Sequence, residues 1–514
     1  MKPNLLFIMT DQQRYDALGA NGNSVIRTPN LDRIAEDGLN FAEYYTNCPV
    51  CVPSRCTLFT GRYPHAHRIR ENYNLLEAGR EIHLFRVLKH AGYALGYVGK
   101  NHLLEDPEWQ NFDFTDVWNY DHRMKEGEEA VQEFAKSRRK PMREIGVWAG
   151  ATFHDHPPEH TRPYVKASSA IEFLDQRPED RPFCLCLSFS DPHAPHIALE
   201  KYREVYPPDE MELHPAREGE WEDKMSRFPV KAQASGVHKA NEQQKRHFMA
   251  VYYSMISWVD EQIGRVLQKL HEEGLDESTI IVFTSDHGEF CFEHGMCKKD
   301  LVLLNSLLHV PLLVCWPGEL EPAEVRDTLM EQVDVMPTLL DVMEIETPFG
   351  VQGRSIMPHV RGQAAGHKDA VHAEICPPWL FNPFPDYKSF EKYWQENFDG
   401  PVSFNVPGDF TKSVRTRDYR YVWYHNGEEE LYDQRSDPHE LHNVVDDPEY
   451  GEVLRAMRWK LGEWHMQTED PLAPLTTRQL QSEYDDWVSG RVSPGSLYGP
   501  YWVDYRDKTP EDFR

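Results

Sequence analysis

Short apolar runs at residues 4–10, 94–99, 183–190, 279–285 and 310–316 recur along the chain, each continuous enough to be buried on both faces. Helical patterns lie between them. The clearest spans about 242–273, where Phe248, Tyr252, Met255, Val259, Ile263, Val266 and Leu270 recur at three- and four-residue steps. Residues 31–39, 82–91, 165–174 and 333–343 are shorter versions. This alternation predicts an α/β fold with a large, mostly parallel sheet flanked by helices. In such sheets ligands gather beyond the carboxyl ends of the strands. The runs end on Asp11, on Lys100 and His102, on Asp191 and His193, and on Asp286 and His287.

From about residue 348 the texture changes. Residues 376–397 are dense in aromatics and Pro, 413–424 alternate as a strand pair, and a turn at Asn426-Gly427 precedes ELYD, which predicts a smaller antiparallel sheet. The chain of 514 residues is therefore expected to divide into an α/β domain over 1–370, an α+β subdomain over 371–470 and an extension over 471–514. The extension and the aromatic segment 379–394 are expected to make core or subunit contacts, giving a homo-oligomer.

A net charge of −29 argues against a general nucleic-acid or anionic-membrane binder, because such surfaces need clustered Lys and Arg. An anionic ligand then requires a local positive pocket. No stretch reaches the roughly 18 apolar residues of a membrane span. The start, MKPNLLFIMTDQQR, reads as a first buried strand rather than a signal peptide. Nine Cys, several inside apolar runs, fit reduced, buried thiols, so a cytoplasmic location is expected.

Taken singly, each strand-end acid is an ordinary helix cap or loop group. Together, Asp11, Asp286 and His287 converge at one sheet edge and offer hard oxygens plus an imidazole to a divalent cation. Cys48-x-x-Cys51 is a weak redox or zinc signal with no second pair in the chain. The run Cys51-Val52-Pro53-Ser54-Arg55, continued by Thr60-Gly61-Arg62, is far more specific.

That run resembles the C-x-P-S-R signature of the type I sulfatases of the alkaline phosphatase superfamily, in which the Cys is oxidised to formylglycine (3-oxoalanine). The resemblance spans nearly the whole chain through NLLFIMTDQQR, TPNLDRIAEDG, CVPSRCTLFTGRYPH, GYVGKNHL, SDPHAPH, IIVFTSDHGE, EHGMCKKD, VPLLVCWPG and LYDQRSDPHELHNV. It implies an alkaline phosphatase-like fold and a nucleophile derived from Cys51. A hydrated aldehyde presents one hydroxyl to attack sulfur, and the other expels sulfate as the aldehyde reforms.

The resemblance further implies one divalent cation, held by Asp11, Gln12, Asp286, His287 and the modified Cys51. Calcium is the family's usual ion. Gln12 and His287 replace residues that are often Asp and Asn, which opens the site to manganese or zinc. By the same matching, Arg55 orients the nucleophile, and Lys100 binds sulfate. His102 is the base for elimination. His193, rather than His196, protonates the leaving oxygen. Lys299, in competition with Lys298, is the second sulfate-binding lysine.

The expected function is hydrolysis of small anionic sulfate monoesters, after modification of Cys51 by a formylglycine-generating enzyme. The alternative is hydrolysis of phosphonate monoesters or phosphodiesters by the same apparatus, since those related hydrolases share the Asp-Gln and Asp-His pattern. Some activity on both classes is expected.

Overall fold

The computed structural model describes residues 2–72, 74–76, 81–118, 150–155, 157–222, 224–225, 228–229, 237, 240–299, 302–375 and 410–469. The aromatic segment 376–397 and the extension 471–514 lie outside the described residues.

The first strand, β1 (Asn4–Asp11), shows why the apolar runs are unbroken. Leu5, Phe7 and Met9 enter one hydrophobic core, while Leu6 and Ile8 enter the core on the opposite face. β1 sits inside an eight-stranded sheet with β2 (Leu39–Phe41), β3 (Ala94–Lys100), β4 (Phe114–Trp118), β5 (Phe183–Pro192), β6 (Thr279–Ser285), β7 (Leu312–Cys315) and β8 (Ala323–Val325). The spatial order is β8-β2-β7-β6-β1-β5-β3-β4. β1 pairs in parallel with β5 and β6, β3 with β5, and β4 with β3, so the ends of these strands share one edge.

β7 departs from that pattern and runs antiparallel to both β6 and β2. A run buried on both faces reads the same in either direction, so its polarity is not written in its composition. The helical pattern at 31–39 also divides: the helix is Pro29–Glu36, and Leu39 opens β2 after the Asp37-Gly38 step.

α1 (Cys51–Thr60) is buried at every position and packs on the first core through Val52, Cys56 and Phe59. The Phe59 ring lies 5.0 Å from that of Phe7. Truncating either ring to Ala should cost about 3–5 kcal/mol. The opposite face is covered by α2 (Arg162–Gln176) and α3 (Glu242–Glu272), with Phe173 and Leu174 from α2 and Val259, Ile263, Val266 and Leu270 from α3. α3 starts at a capping box, in which the Asn241 side chain accepts from Gln244 N–H at 2.9 Å and Gln244 reciprocates at 2.9 Å.

A separate antiparallel sheet comprises β9 (Val371–Ile375), β10 (Thr411–Arg415), β11 (Tyr419–Tyr424) and β12 (Glu429–Asp433), paired in sequence order. Gly427, at φ 91°, turns the chain between β11 and β12. One face meets α4 (Gly451–Gln467) through Met457, Leu461 and Trp464. The other buries Ala373, Ile375 and Val422 with Leu303, Leu304 and Leu307. Both lie within the α+β subdomain expected over 371–470, although the sequence patterns above give neither β9 nor α4 a position. Among the described residues the eight cysteines are all buried free thiols, and no helix is long and apolar enough to cross a membrane.

Candidate active site

Register brings the strand-end acids together. Thr10 of β1 pairs with Ser285 of β6, so Asp11 and Asp286 emerge side by side. α1 begins against them with Cys51, whose Sγ lies 3.8 Å from Asp11 Oδ1 and 3.3 Å from His287 Nε2. Lys299 Nζ lies 2.6 Å and Lys100 Nζ 3.6 Å from the same sulfur. Lys100 also contacts Asp11 Oδ2 directly.

Two glycines permit these approaches. A Cβ on Gly99, which has φ 103°, would stand 1.9 Å from the Ser188 carbonyl oxygen, so the backbone leading to Lys100 lies flush on β5. A Cβ on Gly288 would stand 2.0 Å from the Ser306 carbonyl oxygen, and only glycine lets the His287 turn pass there.

Arg55, one turn along α1 from Cys51, ties both carboxylates together. Its Nη2 donates to Asp11 Oδ2 at 3.1 Å, and its Nε to Asp286 Oδ2 at 3.0 Å. Nη1 donates to Ser188 Oγ at 2.7 Å and to the Lys100 carbonyl at 3.2 Å. The planar fork suits this task, because one guanidinium aligns several acceptors in fixed directions.

The charges work against one another. Burial pushes the Asp11 carboxyl up, but Lys100, His193, Lys299 and Arg55 together hold it well below the usual range. Burial and the adjacent Asp11 push Asp286 up. Burial and Lys299 lower His287 to about 4, which keeps the ring neutral. Its Nδ1 meets the Gly288 carbonyl at 2.9 Å, which places the hydrogen on Nδ1 and aims the Nε2 lone pair at the cluster. Burial disfavours the Lys299 ammonium, yet Cys51, Asp11 and Asp286 push its pKa up.

The other expected residues occupy definite places. His193 approaches the cluster and contacts the Ala194 carbonyl through Nδ1 at 2.8 Å. Burial depresses its pKa well below the usual value, as do the Lys299 and Lys100 charges. His102 is buried just beyond β3 at a left-handed φ of 46°, and burial, Lys100 and Arg55 lower its pKa. Gln12, at φ 72°, donates its backbone N–H to Asp286 Oδ1 at 3.0 Å, while its side-chain amide contacts Glu289. Of the two neighbouring lysines it is Lys299 whose ammonium reaches Cys51; the backbone N–H of Lys298 meets Glu289.

Among the described residues, the side chains of Asp11, Cys51, Asp286 and His287 form a group that can hold a metal ion, their ligand atoms all within 4.8 Å of one another. Each is buried. Two carboxylates, an imidazole lone pair and the residue-51 side chain make a donor set that fits a divalent cation. Cys48 is not part of this group.

Comparison with known proteins settles the lineage. Residues 3–345 match the family model described as Sulfatase, and residues 389–467 match N-sulphoglucosamine sulphohydrolase, C-terminal. The chain belongs to the sulfatase family. An arylsulfatase of Clostridium perfringens is 29% identical over 483 residues, covering 89% of this chain and 93% of that protein. An N-acetylglucosamine-6-O-sulfatase of Bacteroides thetaiotaomicron is 24% identical over 528 residues, covering 91% and 87%. The solved phosphonate monoester hydrolase of Agrobacterium radiobacter shares the fold, with a TM-score of 0.71 at 24% identity over 93% of this chain and 99% of that one.

This sulfatase also uses residues that the sequence patterns do not single out. Ser188 lies inside the apolar run of β5 yet turns its hydroxyl to Arg55. Glu289, next to the SDHG turn, receives Gln12 and the Lys298 N–H. Asn72 accepts from Val52 N–H at 3.0 Å, meeting a free amide at the start of α1. Ser188 and Asn72 have no local signature, because each acts through a partner distant in sequence; Glu289 closes the IIVFTSDHGE run, but nothing in that run points to Gln12.

Proposed function

We propose that this sulfatase hydrolyses sulfate monoesters with a formylglycine nucleophile made from Cys51, and that Asp11, Asp286, His287 and residue 51 hold one divalent cation. The observation that carries the reading is the setting of Cys51 Sγ, with two ammonium groups and an imidazole around it at the start of a buried helix. When bound, the cation supplies a Lewis acid that favours the deprotonated form of a hydroxyl at position 51.

The chain's own groups do the rest. Lys100 and Lys299 bind the sulfate oxygens and offset the charge that grows on them, in a setting with little water to screen it. Arg55 fixes both carboxylates and, through α1, the direction of residue 51. His193 delivers a proton to the leaving oxygen. The lysine charges that depress its pKa are those a bound sulfate neutralises, so His193 becomes easier to protonate as substrate arrives. His102, beside Lys100, accepts the proton released when residue 51 returns to its resting form.

The two carboxylates suit calcium, whereas the His287 nitrogen suits manganese or zinc. The pairing of Gln12 with His287 also favours a second reading, hydrolysis of phosphonate monoesters or phosphodiesters. Coexpression with a formylglycine-generating enzyme, followed by mass analysis of the residue-51 peptide, tests the nucleophile. Exchange of sulfur for oxygen with loss of two hydrogens is expected, and an unmodified thiol in active protein overturns the reading. Rates on an aryl sulfate, a phosphonate monoester and a phosphodiester then rank the substrates.

A further inference from the structure

Gln332 lies outside the reacting groups, yet its side chain joins the segments that carry them. It is fully buried and opens the 3-10 turn Gln332–Asp334 that precedes the helix Val335–Val342. Its Nε2 donates to the Ser285 carbonyl at 3.2 Å and to the Asp286 carbonyl at 3.1 Å. Its Oε1 accepts from Thr46 Oγ1 at 2.7 Å and from Ser54 Oγ at 2.9 Å. Ser54 also lies 2.6 Å from the Asp286 carbonyl, so its single hydrogen is shared between two acceptors.

This arrangement uses the whole capacity of the amide, two donors and two acceptor sites. It also fixes the orientation, because only the NH2 end can face two carbonyl oxygens. The backbone beneath is held as firmly. Asn47 donates to Glu331 Oε2 at 2.7 Å and accepts from Val333 N–H at 3.0 Å, so the residues on either side of Gln332 are stitched to the loop that leads into α1.

We propose that Gln332 is a positioning residue that sets the separation between the nucleophile at position 51 and the carboxylate of Asp286. One hand of the amide holds the backbone of the Asp286-His287 turn, and the other holds the first turn of α1 through Ser54 and the approach loop through Thr46. Sites of this kind depend on supporting hydrogen bonds, since a small misplacement of reacting groups costs orders of magnitude in rate. This inference rests on the reading of Cys51 and Asp286 as nucleophile and metal ligand.

The test compares the full chain with Gln332→Glu, Gln332→Met and Ser54→Ala. Gln332→Glu keeps size and the acceptor end but sets an oxygen against two carbonyls; Gln332→Met keeps length and removes both functions. Each should lower kcat by about 30-fold or more with KM changed less than about 3-fold. Metal retained per chain after dialysis, read by elemental mass spectrometry, should fall with it.

Gln332→Met combined with Ser54→Ala should cost much less than the product of the two separate losses, because both break one linkage. Fully multiplicative losses, or Gln332→Met protein with wild-type kcat and metal content, overturn the proposal. If the Gln332 variants fail to fold, Thr46→Val and Ser54→Ala carry the test, and wild-type kcat and metal retention in both refute it. A wild-type chain that turns over no sulfate, phosphonate or phosphodiester fails the functional reading instead. That outcome is separable, since metal retention is measured without substrate.

Discussion

Arg55 Nε lies 3.0 Å from Asp286 Oδ2, and neither side chain has any exposed surface. A buried carboxylate without its counter-charge is expensive, so Arg55→Ala should destabilise the fold by about 3–5 kcal/mol and lower turnover by orders of magnitude. Arg55→Lys should recover little, because a point charge cannot serve Asp11, Asp286 and Ser188 together. Thermal melting and kcat/KM check both; a fully active Arg55→Lys enzyme would contradict the role.

The two adjacent lysines should separate cleanly. Lys299→Ala removes the ammonium 2.6 Å from Cys51 and should lower kcat/KM by about 100- to 1000-fold. Lys298→Ala should stay within several-fold of wild type. Steady-state rates on an aryl sulfate give the comparison, and equal losses would argue against the placement of Lys299.

Exhaustive dialysis against a chelator should abolish turnover, and titration with calcium, manganese and zinc should restore it to different extents. His287→Asn exchanges an imidazole nitrogen for an amide oxygen. It should shift the ranking towards calcium, read as the metal concentration giving half-maximal rate. An unchanged ranking would remove His287 from the ligand set.

The contact between the smaller sheet and the short helix Pro64–His67 should weaken in acid. Glu374 of β9 is buried against Lys412 and lies 2.8 Å from His65 Nδ1. Burial pushes its carboxyl up, but Lys412 and His65 hold it well below its ordinary 4.5. The unfolded chain takes up this proton near 4.5 while the folded chain does not. The stabilisation is therefore present above that pH and is lost as pH falls below it towards the folded value. Glu374→Gln should lower Tm at pH 7 and flatten its decline below pH 4.5; an equally steep decline would place the acid sensitivity elsewhere.

Much of the site is legible in the sequence because strand ends announce themselves. Asp11, Lys100 and Asp286 each stand at the end of a mostly apolar run, and the sheet register brings Asp11 and Asp286 together. What escapes is whatever depends on direction or on distant partners. β7 carries the same apolar signal whichever way it runs. β9 is a five-residue strand, too short for its alternation to stand out before its neighbours are known. Ser188 and Gln332 are ordinary residues until the chain folds, and only then do they meet Arg55 and Ser54.

The depth of Cys51 carries a consequence for timing. With 1% of its surface exposed, it is out of reach of another protein once Asp286, His287 and Lys299 have closed around it. Any enzyme that oxidises this thiol must act in the interval between synthesis of residue 51 and arrival of the strand that carries Asp286. At about 5–20 residues per second that interval lasts roughly 10–50 s, so the rate of elongation competes with the rate of modification. Slower synthesis, or a slower-folding β6, should raise the fraction of chains whose residue 51 such an enzyme reaches.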